Sequence, residues 1–126
     1  MANPNIVAVT SIYGNTSYLI PTGTSATTWT ALTPASLTVN KIDNIVAANV
    51  TGSAANITVS VNSSTGGGGT AYRIVYQVSV PAYASLIVVD KTTAIYIGDT
   101  QSIVVTSGTS NAIELTASYE AITGPA

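Results

Sequence analysis

The sequence predicts an all-β chain, an antiparallel β-sandwich of about eight strands with a jelly-roll-like arrangement and no substantial helix. Three observations carry that expectation. Apolar residues recur with a period of two along several short runs, which is the spacing of a half-buried strand. Val, Ile and Thr fill these runs, and their branched side chains suit a pleated surface and disfavour a helix. Turn residues interrupt the runs at roughly ten-residue spacing, as in sandwiches and barrels.

Taken in order, residues 2–9 contain Pro4, which disfavours a helix, and residues 1–9 are expected to form an extended N-terminal arm. Residues 21–36, with Pro21, Gly23 and Pro34 around Trp29, suggest an edge strand flanked by loops. Residues 42–50 form an apolar strand whose period slips at Asp43 and Asn44, the mark of a β-bulge. Residues 56–62 alternate strictly, with Ile57, Val59 and Val61 on one face. The glycine run Gly66 to Gly69 is a hairpin tip, and residues 64–70 are expected to be flexible.

Residues 72–80 repeat the pattern, placing Tyr72, Ile74, Tyr76, Val78 and Val80 inward. Residues 85–89 and 103–105 are apolar on both faces and are expected to be central strands. Between them, Asp90-Lys91-Thr92 and Gly98-Asp99 are connections. Residues 107–111, around Gly108, should close a final hairpin into 112–121, where Ile113, Leu115, Ala117 and Tyr119 oppose Glu114, Thr116, Ser118 and Glu120. The 126 residues suffice for one domain with one core, 1–126.

Charge is the anomaly. Charged residues are 6% of the chain, against roughly a quarter in an average soluble domain. A net charge of -2 does little to keep copies apart. Interface cores are depleted in charge, so this surface is suited to burial against other protein. A plain Thr-rich β-protein would read the same way.

Composition also closes off functions. Lys41, Arg73 and Lys91 are the three basic residues, too few to neutralise a run of phosphates, so no nucleic-acid partner is expected. No apolar stretch is long enough to span a bilayer, so no membrane role is expected. The opening residues lack a basic, apolar leader, which predicts synthesis in the cytoplasm. Without His or Cys, the commonest proton shuttles, metal ligands and thiol nucleophiles are missing. Glu114 and Glu120 share a strand face but stand roughly 20 Å apart along it, too far for acid–base partnership. No catalytic residue, cofactor or metal is expected, and the chain reads as a non-enzyme.

Asn15, Asn49, Asn56 and Asn62 match the glycosylation acceptor pattern, which is frequent by chance in a Thr-rich chain. Tyr72, Tyr76 and Tyr119 are expected in the core, whereas a row of exposed aromatics would suggest a sugar platform. Trp29 is either an exposed anchor for a partner or a core plug.

Three stretches resemble one family. The opening Met1-Ala-Asn-Pro-Asn-Ile-Val, running on to Ser11-Ile-Tyr-Gly14, is similar to the start of small virion structural proteins of tailed phages infecting cyanobacteria and related marine hosts. Residues 42–50 share its Ile-x-x-Ile-x-x-Ala-Asn-Val run, and the end shares Gly98-Asp99 and Ala117-Ser-Tyr-Glu120. The likeness spans the chain, although the Gly66 to Gly69 run has no counterpart. It implies a β-sandwich on the particle, most concretely a head decoration (cement) protein in a virion assembled in the host cytoplasm. Its partners would be the major capsid protein or other virion proteins, with self-association as a trimer or dimer. Contacts are then expected at Asn3, Asn5, Ile6, Tyr13 and Trp29. The alternatives are a tail, neck or fibre-base component, a carbohydrate-binding module, and a surface-fibre subunit.

Overall fold

Strand-forming Val, Ile and Thr runs become nine strands in the computed structural model, which describes residues 3–125. They are β1 (Ser11–Leu19), β2 (Thr27–Thr28), β3 (Thr38–Asn49), β4 (Ala55–Asn62) and β5 (Ala71–Val80), then β6 (Ser85–Val89), β7 (Ile95–Ile97), β8 (Ser102–Ser107) and β9 (Ile113–Thr123). Two single-turn 3-10 segments, Thr30–Leu32 and Lys91–Thr93, are the helical elements among the described residues.

The strands make two antiparallel sheets. One has the order β1-β9-β3-β6, with β7 also paired to β3; the other has the order β2-β8-β4-β5. Strand pairs nest from the outside in. Ser11 lies opposite Thr123, Thr27 opposite Val105, Asn40 opposite Ile97 and Ala55 opposite Val80. The chain is thus one long hairpin with its tip at β4–β5, rolled so that successive pairs alternate between sheets. Two antiparallel sheets forming an all-β sandwich are what the sequence predicts.

Between the sheets lie Trp29, Leu32, Ile42, Ile45, Ile57, Val59, Ile103, Val105, Ile113 and Leu115, all buried. Each such side chain contributes about 1.5–3 kcal/mol through burial. Trp29 follows β2 and is 2% exposed. Its backbone N–H donates to Ile103 O at 2.8 Å, and its Nε1 donates to Ser17 Oγ at 3.0 Å. It therefore plugs the core and joins β8 to β1.

Four sequence expectations need correction. In β5, two register shifts against β4 break the alternation, and Tyr72 and Tyr76 are exposed. Residues 85–89 form an edge strand, β6, whose Ile87 is 62% exposed, and are not central. The turn 108–112 crosses from β8 in one sheet to β9 in the other and closes no hairpin. Trp29 presents no exposed anchor. The bulge expected near Asp43 is present, as a register shift between Ile42 and Asn44.

Candidate functional site

The expected contact residues lie in three settings. At the N-terminus, Asn5 N donates to Pro125 O at 2.6 Å and Thr10 N to Thr123 O at 2.7 Å, so the segment runs against the chain's own C-terminal strand. Asn5 Oδ1 accepts from Val7 N at 3.0 Å, making a local turn. Asn3 Oδ1 accepts from Asp99 N at 3.1 Å and rests on Gly98, where a Cβ would approach it to 2.5 Å. Asn3 and Asn5 therefore hold this segment in place, leaving Ile6 and Val7 exposed. Tyr13 is exposed on β1, and Trp29 is in the core. Met1 and Ala2 of the expected arm lie outside the described residues.

Charge is concentrated elsewhere. Lys41 Nζ lies 3.9 Å from Asp43 Oδ1 and 4.0 Å from Glu120 Oε2, where β3 and β9 run side by side. Asp90 and Lys91 line the same shallow concavity, beside Val46 and Ile87. Five of the chain's eight charged side chains thus share one face of the β1-β9-β3-β6 sheet. The ion pairs are partly exposed and contribute little, at most about 1 kcal/mol each. Their significance is location: this face is built to stay wet. Among the described residues no three acidic side chains converge on a metal position.

Asp90 has a local duty. Its side chain caps the Lys91–Thr93 turn, accepting from Thr92 N at 2.9 Å and Thr93 N at 3.1 Å. Hydrogen bonds from the Thr92 side chain and backbone hold its carboxyl below the usual aspartate range.

The buried asparagines also serve the scaffold. Asn49 Nδ2 donates to Ser53 O at 2.7 Å and Val80 O at 3.0 Å, while its Oδ1 accepts from Thr51 N at 2.9 Å. Asn62 does the same for the glycine-rich tip, donating to Gly67 O and accepting from Ser64 N and Gly69 N. Both are buried, so neither acceptor motif is open to a glycan. The tip is further tied by Ser102 Oγ to Ser64 O at 2.6 Å and by Thr28 Oγ1 to Gly66 O at 3.1 Å.

Exposed tyrosines do not gather. Tyr13 and Tyr18 are on β1, Tyr72 and Tyr76 on β5, Tyr96 on β7, and Tyr83 in the β5–β6 turn. Even the β5 pair is split. Tyr72 pairs across the sheet with Val61 and is exposed, whereas Tyr76 stacks under Arg73, whose guanidinium is 5.0 Å from the ring centre. No flat sugar platform results.

Neither a protein-family model nor a curated protein matches the chain. Among solved structures, a Bacillus endospore appendage protein, from a family of disulfide-linked pili, is similar over 92% of this chain and 90% of its own, at 14% identity and a TM-score of 0.52. That likeness is one of fold. The Drosophila NLP core, described for pentamer formation and histone binding, matches 90% of this chain and 97% of its own at 12% identity, with a TM-score of 0.47. The virus-like particle of the prawn Macrobrachium rosenbergii extra small virus matches 94% and 85% at 14% identity, with a TM-score of 0.41. Both fall short of a shared-fold argument.

What sequence reading missed is β1. Its run Ser-Ile-Tyr-Gly-Asn-Thr-Ser-Tyr-Leu has no alternation, because residues 12–16 are exposed on both faces. Its detectable signal was the absence of charge and proline over nine residues.

Proposed function

We propose that this chain is a structural subunit of a virion, most concretely a capsid decoration protein that binds seams between major capsid subunits. The observation carrying this reading is the segregation of charge. One sheet face holds five of eight charged side chains, which leaves Arg73 and Glu114 as the exposed charges elsewhere among the described residues and makes those other surfaces suited to dry protein contact. The sequence resemblance at both ends points the same way. A rolled sandwich closed by its own termini is also a rigid clamp, whose contacts are multiplied over symmetric copies.

Cryo-electron microscopy of particles from a host expressing the chain tests this. The expected result is sandwich-shaped density at the seams of the head. Density confined to the tail, neck or fibre base reassigns the subunit within the particle. Absence from purified particles overturns the virion reading.

A second reading, a surface-appendage subunit, is favoured by the fold likeness to the endospore appendage protein. Disulfide linkage is not open to this chain, which has no cysteine. Filaments formed by the purified protein alone, seen by negative stain, would support that reading over the first.

A further inference from the structure

The sheet edges are not equally protected. An edge strand presents unpaired N–H and C=O groups, and proteins blunt such edges with charge, proline, bulges or brevity. Among the described residues, the β6–β7 edge is five and three residues long, broken by the Lys91–Thr93 turn and flanked by Asp90. The β5 edge has two register shifts, Arg73, and Gln77 at φ 48. The β2 edge has two residues.

β1 has none of these devices. Its nine residues pair with β9 in one unbroken register, from Ser11–Thr123 to Leu19–Leu115. It contains no charge and no proline. Its outer side is free, and Ile12, Tyr13 and Tyr18 are 54%, 66% and 78% exposed.

We propose that the β1 edge binds β1 of a second copy of this chain, antiparallel, about a two-fold axis through Asn15. Asn15 is the middle of the strand, so this register engages all nine residues of each copy. It sets Ile12 opposite the partner's Tyr18 on one face, and Tyr13 opposite the partner's Ser17 on the other. An aromatic beside a β-branched residue is a favourable cross-strand pair. No charge meets a like charge, because β1 has none. The strand is therefore self-complementary, as a two-fold interface requires. Pairing joins the sheets into one, in the order β6-β3-β9-β1-β1-β9-β3-β6. A foreign extended strand would gain the backbone bonds but not this match of side chains. The inference is independent of which particle the chain belongs to.

Sedimentation analysis of the purified protein tests it, with Asn15→Lys, Asn15→Glu and an equimolar mixture of the two. Asn15 is exposed, so both variants keep the monomer fold, which far-ultraviolet circular dichroism checks. The native chain is expected at twice the monomer mass. Each variant is expected as a monomer, since like charges face each other at the axis. The mixture is expected to recover the dimer, because Lys then faces Glu. A native mass other than the dimer's overturns the proposal. So does a dimer that survives in either single variant, or a mixture of folded variants that stays monomeric. None of these outcomes touches the particle assignment, which microscopy decides separately.

Discussion

At the scale of single residues, polar side chains do much of the positioning in this chain. Asn49 satisfies two carbonyls and a backbone N–H from a buried position. Replacing it with Ala leaves Val80 O and Thr51 N without those partners. Asn49→Ala is expected to destabilise the fold by about 2–3 kcal/mol in urea unfolding, within the usual cost of unsatisfied buried groups. Asp90 acts at the surface. Its carboxyl is held below the ordinary value of 3.8, chiefly by Thr92, so it binds protons more readily unfolded than folded. The stabilisation is present above that ordinary value and is lost as pH falls through the lower folded one. Unfolding midpoints measured from pH 7 down to about pH 2 are expected to fall less steeply for Asp90→Asn than for the native chain. Identical profiles would show that the cap does not contribute.

At the scale of elements, the legible strands were those with one dry face. β4 and β9 alternate as read over residues 55–59 and 113–117, because each lies between two strands and above a packed core. Further along, Ser60 and Asn62 of β4 are buried with Val61 only partly so, and residues 118–121 of β9 are all half-buried. β5 defeated the same reasoning. Its ten residues pair with the eight of β4, and each extra residue shifts the side chains that follow to the opposite face. Nothing in Tyr72–Val80 announces those insertions, since the partner strand decides them. β6 looked central because Leu, Ile and Val fill it, yet it is the edge of its sheet, and its exposed Ile87 belongs to the concavity with Val46. Of the contact residues, Ile6 and Tyr13 are exposed, while Asn3, Asn5 and Trp29 are engaged within the chain. A single sequence does not separate these cases, because burial at a terminus depends on what folds back beneath it.

The glycine-rich tip is also an element with a definite shape. Gly67 has φ +79, and a Cβ there would run into Thr28 Oγ1 and approach Val104 Cγ2 to 3.2 Å. Gly67→Ala is expected to cost about 1–3 kcal/mol, combining the left-handed backbone with the clash. Gly66→Ala, where a Cβ meets nothing within 4 Å, is the control and should unfold nearly as the native chain does. Equal stability of the two variants would show that the tip is free to rearrange.

At the scale of the whole molecule, fold class and charge pattern were the two global properties written in the sequence. Period-two runs and turn spacing imply a sandwich, and the scarcity of charge implies a surface meant for protein. The gathering of the remaining charges on one face was hidden, because Lys41, Asp90 and Glu120 are distant in sequence and meet only once the chain is rolled. The nested pairing has a further consequence for how the protein is made. β9 sits between β1 and β3, which leave the ribosome well before it. Until residues 113–123 emerge, the nascent chain holds two long strands whose common partner is missing, so that sheet closes only after this later segment is made. Such late, long-range closure makes for slow folding, in the millisecond-to-second range. A chain truncated before Ile113 is expected to give no cooperative melt and to aggregate in cells, and a folded, soluble product would show that β1 and β3 can close without it.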